Sequence, residues 1–241
     1  MRIHSTSLGF TLLLGALAGL PALSIDMGLP ALPLISTHFG TTSSVTALTL
    51  SLFMAGFGAA QLVIGPLSDR IGRRPVLLVA LALYTLGGAA SAGASSMAML
   101  IVARCLQGAG AAGGTVLAFA IIRDLFDGDA ARVRLSTISM VFSLAPVIAP
   151  TLGGLVLRFD GWQSIFVVLS ATGLVLLLAV GFGLPESIHC WKNLSADSRI
   201  PPRSSIRRAL CCVAIPAWRT SSVSARARSG SGAKRGASWG R

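Results

Sequence analysis

Charge is scarce in this chain. Only 12% of its 241 residues are Asp, Glu, Lys or Arg, against about a quarter in an ordinary soluble domain. Acids are scarcest, eight Asp and Glu against 20 Lys and Arg, while 53% of residues are hydrophobic and mean hydropathy is +0.76. So little charge cannot furnish a polar exterior, which excludes a water-soluble globule and makes an all-α integral membrane protein the expected class. The four cysteines, Cys105, Cys190, Cys211 and Cys212, show neither zinc spacing nor a disulfide framework. No nucleotide-binding motif appears, which argues against ATP drive. No catalytic constellation appears either, so neither an enzyme nor a cofactor is expected. The formal net charge of +12 would suit a nucleic-acid binder, but 11 of the 20 basic residues lie after Pro185. With no aromatic or fold signature beside that charge, no nucleic-acid partner is expected.

Long apolar runs are what the chain has in abundance. A membrane helix needs about 20 mostly apolar residues, and six runs qualify: Leu8 to Leu34, Val45 to Gly65, Pro75 to Ala94, Met97 to Ile122, Leu135 to Leu157 and Ser164 to Leu184. Met1-Arg2 before an apolar run resembles the start of a signal peptide, but the run continues past Pro21 to Ser24 and five more spans follow, so we read it as an uncleaved helix. The first loop (Ser36 to Ser44) and the third (around Ser95 and Ser96) contain no Lys or Arg. The second holds Arg70, Arg73 and Arg74, the fourth Arg123, Arg132 and Arg134, and the fifth only Arg158. By the positive-inside rule the even-numbered loops and both termini are cytoplasmic. The glycines at 56, 58, 87, 88, 108, 110, 113, 114, 153 and 154 read as helix-contact positions.

The densest charge before residue 185 lies in Gly65-Pro66-Leu67-Ser68-Asp69-Arg70-Ile71-Gly72-Arg73-Arg74-Pro75. A charged, glycine-containing link between two apolar spans belongs at a membrane surface, because hydrocarbon solvates neither its ions nor its backbone. The pattern G-x-L-x-D-R-x-G-R-R-P resembles the link between the second and third helices in the major facilitator superfamily of secondary transporters. That resemblance implies a gating role for Gly65, Asp69, Arg70, Gly72, Arg73 and Arg74, with close helix contact at Gly65 and charge interactions of Asp69 stabilising the outward-facing state. It also implies a fold of two six-helix halves with substrate between them.

Three further stretches carry the resemblance. Asp26, the one acid of the first run, lies in Asp26-Met27-Gly28-Leu29-Pro30-Ala31-Leu32-Pro33, which resembles the D-M-x-L-P-A-L-P segment of the bicyclomycin and chloramphenicol efflux branch of drug:proton antiporters. An acid in a span usually faces a cavity or a partner. Yet Asp26 lies about 27 Å along a helix from Leu8 at ~1.5 Å per residue, so simple solvation at the outer interface stays open. Arg104-Cys105-Leu106-Gln107-Gly108-Ala109-Gly110 resembles the fourth-helix motif R-x-x-Q-G-x-G-x-A, which implies proton coupling through Arg104 and Gln107. Arg104 would then pair with Asp26 or with substrate; otherwise it snorkels to headgroups near the outer end of its helix. Finally, Pro146, Pro150, Gly153 and Gly154 resemble, more loosely, the antiporter motif of the fifth helix. Two prolines four apart bend or loosen a helix, either for rocking or as a static kink. Trp162, in a turn like the family's fifth-to-sixth link, reads as an interfacial anchor.

The implied protein exports a small amphipathic drug across the inner membrane by proton antiport and alternating access, with the proton gradient as its energy source. The resemblance covers one half only, about Leu8 to Ser187, within an expected six-helix transporter half of residues 1–187. Residues 188–241 contain no run able to span a membrane and are rich in Arg, Ser, Ala and Gly. We expect a disordered basic tail. It is either natural and laid on anionic lipid, or the product of a frameshift near Ile188 to Cys190, which the abrupt break favours. The chain would accordingly be a transport-inactive fragment, a partner for the missing carboxyl-terminal half, or a half-transporter working as a homodimer.

Overall fold

The computed structural model describes residues 8–126, 128–158 and 161–183, so the tail lies outside the described residues. The described residues are helical throughout, in α1 (Leu8–Asp26), a 3₁₀ turn (Leu29–Ala31), α2 (Leu32–Phe39), α3 (Ser43–Ile71), α4 (Arg73–Ala92), α5 (Met97–Leu125), α6 (Gly128–Val156) and α7 (Gln163–Gly183). Counting α1 and α2 as one, six spans are long and apolar enough to cross a membrane.

Local chemistry sets the ends. Thr42 Oγ1 accepts from the Val45 amide at 3.4 Å to open α3, and Ser96 Oγ accepts from the Met99 amide at 3.2 Å to open α5, each satisfying one otherwise orphaned N–H. Gly40 closes α2 in the left-handed region. The expected link from Gly65 to Pro75 needs correction, because α3 runs through Ile71 and α4 begins at Arg73, so Gly72 alone connects them. Its φ of 113° and ψ of 159° suit only glycine. Pro66 lies within α3, and Pro75 falls in the first turn of α4, where a missing N–H costs nothing. The spans outrun the apolar runs because their polar ends continue as helix beyond hydrocarbon depth. The first span departs the other way, broken at residues 27–31.

Helix α5 is the centre of the bundle, packed on α1, α3 and α4; α7 lies on α4, and α6 on α1. The α3–α5 crossing is backbone-close. A Cβ on Gly108 would collide with the Phe53 carbonyl, and one on Gly56 with the Cys105 carbonyl. Most of the expected contact glycines behave this way, but positions 58 and 154 do not, and neither does Gly65. Nothing among the described residues lies within 4 Å of a Cβ built at any of the three, so the close contact expected at Gly65 is not made among the described residues. The outer surface carries Leu62, Val79, Leu86, Val175 and Phe182, a covering suited to lipid rather than water.

The two ends of the bundle differ. At one, Arg73 reaches Asp124, Arg74 reaches the Gly181 carbonyl, and Arg134 reaches Thr11. The starts of α1, α4 and α6 thus meet the ends of α5 and α7. At the other, His38, Phe39, Trp162 and Phe166 form an aromatic cluster. Trp162 is buried there at 4% exposure, which corrects the expectation of an anchor turned toward headgroups: the ring fills the gap between α2 and α7.

Candidate functional site

The first span breaks because its sequence cannot continue the helix. Pro30 and Pro33 have no N–H for the carbonyls four residues earlier. The Gly28 amide turns to the Ile25 carbonyl at 3.1 Å, and the Ala31 amide to the Gly28 carbonyl at 3.1 Å. The carbonyls of Ser24 and Met27 are thereby released from the helical ladder. In a membrane a freed carbonyl must find a partner within the protein.

Arg104 supplies one. Its Nη2 donates to the Ser24 carbonyl at 3.0 Å and its Nη1 to Gln107 Oε1 at 2.8 Å. The guanidinium lies 4.6 Å from the ring centre of Phe53 and 5.4 Å from that of Phe166, within reach of cation–π attraction. Arg104 is 1% exposed and Gln107 0%, so Arg104 does not snorkel. It sits about 10 Å along α5 from Met97 at ~1.5 Å per residue. Nor does it form the ion pair with Asp26 considered above. Among the described residues no carboxylate lies within 4.0 Å of it, and the three ion pairs present involve Arg73 and Arg132. Asp26 is half-buried and without a hydrogen-bond or ion-pair partner among the described residues. It stands two positions beyond the carbonyl that Arg104 holds.

The released Met27 carbonyl meets α6. A Cβ on Gly153 would collide with that oxygen and come within 3.1 Å of Pro30 Cγ, so only glycine lets α6 lie against the break. Gly154 faces open space, and Pro146 and Pro150 are exposed. Of the four candidate positions in α6, Gly153 alone joins the site. The third span contributes Tyr84, whose hydroxyl is 2.7 Å from Ser24 Oγ, while Ser24 Oγ donates to the Leu20 carbonyl at 2.7 Å. All six spans therefore converge on Ser24 to Met27 or on the arginine that holds it: α1 by its own break, α4 by Tyr84, α5 by Arg104 and α6 by Gly153, with α3 and α7 placing Phe53 and Phe166 against the guanidinium.

The expected gating residues form a second cluster at the basic end. Arg73 pairs with Asp69 at 2.9 Å and with Asp124 at 3.0 Å, and donates to Ser68 Oγ at 2.7 Å. Arg74 Nη2 caps the Gly181 carbonyl at 2.7 Å, tying α4 to α7. Arg70 is exposed. Sequence reasoning missed Ser24, Phe53, Tyr84, Asp124 and Phe166. Tyr84 did carry a signal: it is the sole tyrosine and sits inside an apolar run, where its hydroxyl requires a partner.

A bundle of six spans with a broken first helix and a buried arginine is the architecture of a membrane transporter half. Residues 9–223 match the Major Facilitator Superfamily, and the chain belongs to that family. It is a multi-pass membrane protein of the transporter class and not an enzyme. It is 37% identical over 192 residues to the uncharacterized MFS-type transporter YdgK of Bacillus subtilis, covering 79% of this chain and 48% of that protein. It is 35% identical over 206 residues to a bicyclomycin resistance protein homolog of Haemophilus influenzae, covering 86% and 50%. Against a chloramphenicol resistance protein of Pseudomonas aeruginosa the figures are 39% over 156 residues, 64% and 37%. The chain thus spans about half the length of these relatives or less. Among solved structures it resembles a D-xylose–proton symporter, with TM-score 0.63 and 19% identity, covering 80% of this chain and 52% of the symporter. That likeness concerns the fold alone.

Proposed function

We propose that this chain is the amino-terminal half of a drug:proton antiporter of the inner membrane, both termini cytoplasmic, working by alternating access. The observation that carries the reading is the convergence of three separate sequence motifs on one point. The broken first span with Asp26, the Arg104–Gln107 pair and Gly153 all meet at residues 24–30. A break that frees carbonyls from the ladder beside a carboxyl group with no partner among the described residues is where a span can exchange a proton and change shape. The relatives' names, bicyclomycin resistance and chloramphenicol resistance, support a drug as cargo. In this reading Asp26 carries the proton or contacts the drug, and Arg104 with Gln107 couples its state to the bundle. The Asp69–Arg73–Asp124 cluster gates the basic end, with Gly72 as its turn. Because the chain spans about half its relatives' length, the working unit includes a second six-span body, either the missing half or another copy.

The test uses everted membrane vesicles containing the chain, with an acid-interior gradient reported by a quenched dye. With the second six-span body present, as another copy or as a relative's co-expressed carboxyl-terminal half, adding chloramphenicol should release protons and restore fluorescence, and Asp26→Asn should abolish the response while leaving the protein in the membrane. A response that survives in Asp26→Asn would remove Asp26 from the mechanism. No response from the intact chain, followed by recovery on co-expressing a relative's carboxyl-terminal half, would identify the second body as that half rather than another copy.

A further inference from the structure

We propose that Tyr84 is a positioning residue for the turn that bears Asp26: its hydroxyl fixes Ser24, and Ser24 presents to Arg104 the carbonyl that ends α1. The inference rests on the reading of Asp26 given above, but its geometry stands independently. The single hydroxyl hydrogen of Ser24 goes to the Leu20 carbonyl at 2.7 Å. In the 2.7 Å contact between Ser24 Oγ and the tyrosine, Tyr84 is then the donor. Tyr84 and Ser24 are both 0% exposed, so no water competes for that donor, and a lost partner would leave a polar group in an apolar setting.

The tyrosine is well placed to hold a position. Helix α7 lies against its ring and α5 against its backbone: a Cβ on Gly173 would come within 2.6 Å of Tyr84 Cδ1, and one on Gly110 would collide with the Tyr84 amide nitrogen. Two helices thus hold the residue, one at the ring and one at the backbone, and its hydroxyl reaches α1 at Ser24. Because backbone and side chain of Ser24 are bonded together to three other groups (Leu20, Tyr84 and Arg104), a rotation of the turn that moves Asp26 must break or stretch the tyrosine contact. The same bond gives a phenol, where a phenylalanine would have nearly equal shape, a partner in the middle of a mostly apolar third span.

The experiment reads the position of residue 26 directly. In a chain whose four cysteines are replaced by alanine, Asp26→Cys is reconstituted in lipid vesicles and its rate of reaction with N-ethylmaleimide is measured. A matched Val45→Cys protein serves as reference. Adding Tyr84→Phe should raise the ratio of the two rates about threefold or more, the order expected when one buried hydrogen bond is lost. Adding Ser24→Ala should do the same, and the double variant should do little more than Ser24→Ala alone, since both single variants remove the Tyr84–Ser24 bond and Ser24→Ala takes only the local bond to Leu20 with it. A general loosening of the bundle would raise both rates and leave the ratio alone. An unchanged ratio in Tyr84→Phe, or effects of the two substitutions that multiply, would overturn the proposal. If Tyr84→Phe does not yield monodisperse protein, Ser24→Ala decides alone, and an unchanged ratio there overturns it equally. Thiol reactivity needs no transported drug, so failure of the vesicle assay in the preceding subsection would remove the proton-carrying role of Asp26 without touching this result.

Discussion

Arg73 and Arg104 do opposite things with the same guanidinium. Arg73, at the basic end of the bundle, has two carboxylates within 3.0 Å, and those carboxylates are 64% and 54% exposed. Arg104 is buried and has no carboxylate near it among the described residues; a carbonyl, an amide oxygen and two aromatic rings surround it instead. Water screens the first cluster, so each of its pairs is worth about 0–1 kcal/mol. The second offers no alternative partners, so every bond that is lost leaves a polar group stranded. The difference separates a cluster that can open and close at little cost from one that holds its element in place. The exposed cluster and the buried one are distinguished by solvent, not by residue type.

The largest effect should come from removing the buried arginine. Arg104→Ala strands the Ser24 carbonyl and the Gln107 amide oxygen, at roughly 1–3 kcal/mol each by the cost of unmade hydrogen bonds. Interhelical hydrogen bonds in membranes average only about 0.6 kcal/mol, so a total loss of about 2 kcal/mol is the expectation. Arg73→Ala should cost about half of that or less, since it forfeits exposed pairs. Denaturation of both variants in mixed micelles measures the two losses side by side. Equal losses would erase the distinction between the clusters.

A second comparison sits within α6. Gly153→Ala drives a methyl group into the Met27 carbonyl, and relieving that overlap should cost about 1–3 kcal/mol. Its neighbour Gly154 has nothing within 4 Å of the equivalent position, so Gly154→Ala should be neutral or gain up to about 1 kcal/mol from helix propensity. The same micelle denaturation measures both. A Gly153→Ala protein as stable as the parent would mean that α6 can withdraw from the break at no cost.

How legible this was from the sequence depended on which physical signal each feature leaves. The six spans announce themselves through length and apolarity, and the arginines mark the loops of one end. Periodicity says nothing about where a span breaks, however, and in sequence the two prolines at 30 and 33 read as part of a motif rather than as missing donors for carbonyls further back. Asp26 and Arg104 were both visible as ionisable groups in apolar runs. Their relation was not, because an arginine that caps a released carbonyl leaves no complementary charge to search for. Ser24 and Phe53 are ordinary residues in apolar surroundings, and only packing gives them a part. The one-residue link at Gly72 was hidden for a different reason: polar helix ends beyond the hydrocarbon have loop-like composition.

Salt gives the smallest effect, and it sharpens the comparison. Asp124→Asn removes one exposed partner of Arg73 and should cost at most about 1 kcal/mol at low ionic strength. At ~1 M salt the screening length falls to about 3 Å, the separation of the pair itself, so the variant should become indistinguishable from the parent. The penalty of Arg104→Ala should be the same at both salt concentrations, because ions do not enter the buried cluster and its partners there are neutral. The check is a pair of denaturation series, each variant against the parent, at about 0.01 M and ~1 M sodium chloride. If Asp124→Asn keeps its full cost at high salt, the basic end is held by packing or hydrogen bonds, such as that from Arg73 to Ser68 Oγ, and not by charge. If instead the Arg104→Ala penalty shrinks with salt, counter-ions reach the guanidinium, and the broken first span opens to water at the level of Ser24.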